Sequence, residues 1–265
     1  MVAKIARLDS RALIRVEGPE WRPFLHNLLT HDVEALEPGG LRWAALLTPQ
    51  GKFLHDLFVF AGEGEALLDV QAAHRDDLLR RLSLYKLRAK VTLTPVEGAV
   101  FAAFAGEPPE GFRPDPRLPG LGGRAIDTSL ATDASEDDYA AHRLSLGVPD
   151  PATDLAPDRT YPIEANLDLL NGIDFKKGCF IGQETTSRMK RRGTIKNRML
   201  PLAFEGPPPA FGSEVLAGDL RAGEVLSGRE GRAMALLRLD RIEGVALTVD
   251  GRPVRADRPE WMPLA

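Results

Sequence analysis

The sequence has one cysteine, Cys179, in 265 residues. A lone cysteine excludes an intrachain disulfide framework and suits a reducing compartment. It also excludes a self-contained four-cysteine zinc or iron–sulfur site. Histidine is scarce too: His26, His31, His55, His74 and His142 show no HxxxH or HExxH spacing, so they read as core or surface residues and no metal site is expected. No run approaches the ~18 apolar residues of a membrane span. The N-terminus, MVAKIARLDSRALIRVEG, lacks a continuous apolar stretch after its cations, which reads as a cytoplasmic protein. Positive charge is not in excess, since the formal net charge is −4. Any contact with a polyanion must therefore come from a local patch. No internal repeat stands out.

What is present is an ordinary globular composition, long enough to bury a core. Alternation predicts strands at 12–16, 41–47, 53–60, 66–70, 91–96 and 99–105. Thr48-Pro49-Gln50-Gly51 turns the second of these into the third. Helical spacing of Trp21, Phe24, Leu25, Leu28 and Leu29 predicts a helix over 20–29, and a second is expected at 74–87. Residues 106–123, rich in proline and glycine, read as a loop or linker. Ser135 is a candidate cap for a helix over 136–146, and 165–170 reads as a short helix. After Leu200, short apolar runs separated by glycine turns suggest a small β-barrel or sandwich. The expected organisation is an α+β body over 1–200 and a β module over 201–265.

The chemistry concentrates in Lys176-Lys177-Gly178-Cys179-Phe180-Ile181-Gly182-Gln183-Glu184. Neighbouring lysines and a helix starting near Gly182 favour thiolate over thiol at Cys179, and the two glycines allow tight turning and close approach of a ligand. A buried structural cysteine is the competing reading. The segment Arg188, Lys190, Arg191, Arg192, Lys196 and Arg198 is densely basic. It is either a solvated helix face or a site for an acidic ligand or RNA, and no aromatic residue interleaves it to stack on bases.

Lys177 to Glu184 closely resembles the KGC(Y/F)xGQE signature of the YgfZ family. The approach Pro162-Ile163-Glu164-Ala165-Asn166-Leu167-Asp168 and Gly172-Ile173-Asp174-Phe175 fits that resemblance. Leu29-Thr30-His31-Asp32-Val33 and Thr48-Pro49-Gln50-Gly51-Lys52 are similar to the N-terminal pattern of glycine-cleavage aminomethyltransferases, and Ala222 to Ser227 to their barrel. The resemblance implies a GcvT-like α+β body of ferredoxin-like or mixed subdomains around a central channel, with a small C-terminal β-barrel. It implies a tetrahydrofolate-binding accessory factor for iron–sulfur cluster assembly or repair, supporting iron–sulfur enzymes that include tRNA-modifying ones. Its partners would be assembly or client proteins, with neither membrane nor direct nucleic-acid binding. Folate would meet Asp56, Tyr139, Lys177, Gly178, Gly182, Gln183, Glu184 and Arg188, with Cys179 as reactive thiol or cluster ligand. Two departures matter. His55-Asp56 stands where the aminomethyltransferases carry paired aspartates, which puts aminomethyl transfer in doubt. Arg11, read as a solvated strand residue, and Tyr139 stand near positions where some YgfZ proteins place tryptophan. Aminomethyl transfer and an RNA-binding module over 188–198 are the alternative functions.

Overall fold

The computed structural model describes every residue except 1, 128, 130, 192, 194, 264 and 265. The first sheet runs, in spatial order, through Leu41–Leu47, Phe53–Ala61, Glu65–Gln71, Arg11–Glu17 and Thr92–Val96, all antiparallel. Its strand Phe53–Ala61 is buried at every position. That explains a near-continuous apolar run where a one-sided strand would alternate. Leu57 and Val59 face helices α1 (Trp21–Leu28) and α2 (Arg75–Lys86), and Phe58 and Phe60 face a second core. Helix α1 buries Trp21, Phe24, Leu25 and Leu28 at the spacing expected for one helical face. Each such side chain contributes roughly 1.5–3 kcal/mol on burial.

The second sheet orders Lys4–Arg7, Val100–Phe104, Gly123–Ile126 and Arg113–Pro114. Helix α3 (Glu136–Ser145) lies against it and starts with a capping box. The Ser135 hydroxyl accepts from the Asp138 amide at 3.1 Å, and the Asp138 carboxylate accepts from the Ser135 amide at 2.9 Å. Residues 165–170, expected to be helical, form a run of turns, with Asn166 at φ 62°. The Asn166 side chain donates instead to the Met199 carbonyl at 2.7 Å, tying this segment to the barrel. Helix α4 (Gln183–Arg191) follows, and the chain ends in a closed six-stranded barrel that begins at Asn197. The fold is mixed α and β with a C-terminal barrel. Among the described residues no helix is long and apolar enough to cross a membrane.

Candidate functional site

The Cys179 segment is a loop clamped onto α1 and onto the 48–51 turn. Thr30, fully buried, begins the clamp: its hydroxyl donates to the Gly172 carbonyl at 2.6 Å and accepts from the Ala45 amide at 2.8 Å. Its carbonyl accepts from the Asp174 amide at 3.0 Å. Lys177 is buried, and its ammonium donates to the carbonyls of His26, Leu29 and His31, the last two at 2.7 and 3.2 Å. A cation thus satisfies carbonyls at the C-terminal end of α1, where the helix leaves acceptors unpaired. Burial pushes the Lys177 ammonium down to about 8, against the pull of Asp32, Asp174 and Glu34.

Gly182 closes the other side. At φ +80°, a Cβ there would lie 2.6 Å from the Thr48 carbonyl oxygen and 2.8 Å from the Gly51 Cα, so two backbones touch where side chains do not fit. The KGCFIGQE segment and the TPQG turn are therefore one structural unit. Phe180 anchors in the second core, and the Gln183 amide side chain donates back to the Gly178 carbonyl at 3.2 Å.

Between these anchors Gly178 and Cys179 stand exposed. The cysteine is a surface thiol, which removes the reading as a core residue. It lies four positions before α4, so the N-terminus of that helix does not directly abut it. Gly178 differs from Gly182: its φ is not positive, and a Cβ there would meet only His26 Nε2, at 3.9 Å. Among the described residues nothing crowds a Cβ at 178, so the backbone there is open on its outer side. Sequence reasoning missed His26, whose Nδ1 lies 3.0 Å from Asp32 Oδ1, leaving Nε2 turned toward Gly178. The carbonyl of His26 and the ring therefore both serve the loop.

The residues expected to bind folate divide between two places, the 177–188 segment and a cavity lined by Asp56 and Tyr139. Glu184 and Arg188 pair with each other at 3.0 Å on the exposed face of α4. Lys177 is spent on α1, and Gly182 and Gln183 shape the loop. Asp56 and Tyr139 lie elsewhere, in the centre of the molecule. Successive side chains of a strand point to opposite faces. Hence His55 reaches Asp77 of α2 at 2.8 Å, while Asp56 Oδ2 accepts from Trp43 Nε1 at 3.1 Å on the other side. Arg11, expected to be solvated, is buried with its Nη1 3.7 Å from Asp56 and its Nε 2.5 Å from Asp69. Asp69 also accepts from Arg124 at 2.7 and 3.1 Å. Asp115 binds Arg117 at 2.7 and 3.0 Å, and Arg117 donates to the Tyr139 hydroxyl at 2.8 Å. Burial opposes charge on Asp115, but Arg117 and Arg124 outweigh it and hold its carboxyl below the usual range. The cavity among these residues measures about 50 Å³. Ligand pockets are typically on the order of 300 Å³ or more. No sequence signal announced this network, because its members are far apart in the chain.

Two members of the basic segment are tied to one buried carboxylate. Arg198 is buried and binds Asp168 at 2.6 and 3.0 Å, and Lys190 joins the same carboxylate at 3.1 Å. Arg192 lies outside the described residues. Among the described residues no group of three His, Cys, Asp or Glu side chains is arranged to hold a metal ion.

Residues 196–264 match the family described as the C-terminal β-barrel domain of CAF17. The chain is 32% identical to the mitochondrial iron–sulfur cluster assembly factor IBA57 of Mus musculus, covering 98% of this chain and 85% of that protein. It is 30% identical to the Homo sapiens protein of the same name, covering 97% and 85% respectively. The homolog from Neurospora crassa is 32% identical over 84% of this chain, which spans only 59% of that protein's length. Among solved structures, the glycine cleavage system aminomethyltransferase T of Bartonella henselae superposes with a TM-score of 0.79, covering 98% of this chain and 86% of that one. At 18% identity that likeness concerns the fold. The expectation of a cytoplasmic protein is overturned by the relatives, which are named as mitochondrial proteins.

Proposed function

The chain belongs to the family of iron–sulfur cluster assembly factor IBA57, and from that premise we propose that it is an accessory factor in iron–sulfur cluster assembly that works through Cys179. The single observation that carries the reading is an exposed thiol on a loop fixed at both ends by buried contacts. A rigid loop presents the sulfur at a defined place and spares the partner the cost of ordering it. One thiolate does not complete the ligand shell of a cluster, which generally takes four protein ligands. The cluster is therefore cargo shared with a second protein. Cys179 releases its proton to solvent and supplies one of the four ligands, at a position the partner leaves unfilled, while the partner's thiolates supply the other three. Exposed Gly178 leaves room for that protein to approach.

The KGCFIGQE segment supports placing the chain with YgfZ-type proteins, and its clients would include iron–sulfur enzymes that modify tRNA. Aminomethyl transfer is not favoured, because the remaining carboxylate, Asp56, is buried and held by Trp43 and Arg11. The test uses the purified chain with a cluster-loaded assembly protein, under anaerobic conditions. Untreated chain is expected to form a complex with visible cluster absorbance on size exclusion, and chain alkylated at Cys179 with iodoacetamide to form none. Equal complexes from both would refute the role given to the thiol.

A further inference from the structure

We infer that the centre of this chain is closed to folate, and that the protein does its work with no pterin bound there. The inference is independent of the role given to Cys179. A folate needs a carboxylate free to accept from the pterin, an open aromatic face, cations for its glutamate tail, and a cavity on the order of 300 Å³ or more. The ring face, the cations and the volume each fail on a separate observation, and the carboxylate has one oxygen committed.

Asp56 is 4% exposed, and its Oδ2 already accepts from Trp43 Nε1. The aromatic ring inside the cavity is Phe58, and the guanidinium groups of Arg11, Arg117 and Arg124 lie 5.6, 4.9 and 3.9 Å from its centre. Cations occupy the surroundings where a pterin would stack. Tyr139 offers no replacement: its ring packs edge-on against Phe104 at 5.5 Å and its hydroxyl is taken by Arg117. The three arginines are matched by Asp56, Asp69 and Asp115, and Arg143, which also lines the cavity, by Asp150, so no net positive charge is left to hold a glutamate tail. Arg188, the cation expected there, is exposed on α4 and is not part of the cavity. The remaining volume, about 50 Å³, has room for a few water molecules.

The closure is not a single side chain that swings aside. Its members come from the strands Arg11–Glu17, Phe53–Ala61, Glu65–Gln71 and Gly123–Ile126, from the 115–117 turn, and from α3. Admitting a pterin means separating several buried charge-assisted bonds at once. The apparent affinity of any ligand for the opened form falls by the fraction of molecules that are open.

The test is anaerobic equilibrium dialysis of the full chain against tetrahydrofolate and its triglutamate, alongside Asp56→Asn and Tyr139→Phe. Both variants keep the volume of the side chain, and circular dichroism establishes that they fold. The expected result is no saturable binding up to ~1 mM, a ceiling corresponding to negligible affinity. Saturable binding that leaves both variants unaffected places the ligand outside the centre and agrees with the inference. Saturable binding below that ceiling, weakened tenfold by either variant, overturns it.

Discussion

Asp69→Ala is expected to be among the most damaging substitutions in the molecule. Asp69 is fully buried and receives Arg11 Nε at 2.5 Å and Arg124 at 2.7 and 3.1 Å. Hydrogen bonds to a charged group contribute about 1.5–3 kcal/mol each, and removing one partner of a buried ion pair costs about 3–5 kcal/mol. Here two guanidinium groups lose their near partner together. The carboxylates left to them, Asp56 for Arg11 and Asp115 for Arg124, lie at 3.7 and 4.0 Å. The loss should therefore sit near the upper end, about 4–5 kcal/mol, against a total stability of roughly 5–15 kcal/mol. With a urea slope of roughly 3 kcal/mol per molar, the unfolding midpoint should fall by roughly 1.5 M. Asp137→Ala is the control, since it removes an exposed ion pair with Arg229 and should move the midpoint little. If the two variants unfold at the same urea concentration, the network does not carry the energy assigned to it.

Three further outcomes are expected. Gly182→Ala forces a Cβ to within 2.6 Å of the Thr48 oxygen at φ +80° and should cost about 1–3 kcal/mol in thermal melts, whereas Gly178→Ala should melt as the parent does and yet weaken complex formation with a cluster-loaded partner. Asp115 has a depressed carboxyl, so the stability it contributes is fully present above the unfolded value near 4 and is lost as pH falls below it; Asp115→Asn should flatten the acid limb of a pH–stability profile. Lys177, lowered to about 8, leaves the unfolded chain binding the extra proton from there up to about pH 10.4, so the parent should gain stability relative to Lys177→Met between pH 8 and 10, read by urea melts.

Local patterns were legible where the cause is local. The helical spacing of α1, the Ser135 cap and the hairpin around Thr48–Gly51 all appear at the expected residues. The strand Gly123–Ile126 was hidden because it directly follows a proline- and glycine-rich stretch, and Lys4–Arg7 because four residues carry too little alternation. The Cys179 motif was readable as a unit, but the division of labour inside it was not. Lys177 and Gly182 hold the loop through residues more than 100 positions away, and only the folded chain shows that they leave Gly178 and Cys179 free. Arg11 was misread for the same reason: its partner Asp69 is 58 residues distant, and an arginine on a short strand gives no sign of a buried carboxylate. The pairing of Asp56 with Trp43 and Arg11 was hidden in the same way, because both partners stand on other strands.

The most direct measurement of the account is complementation by Cys179→Ser in cells lacking the protein, read as the activity of iron–sulfur enzymes. The serine removes one sulfur from an exposed position and should leave folding, melting temperature and protein level unchanged. The variant is expected to accumulate normally and to restore little or none of the enzyme activity restored by the parent chain. Full restoration by the variant would contradict the claim that this protein acts through its thiol.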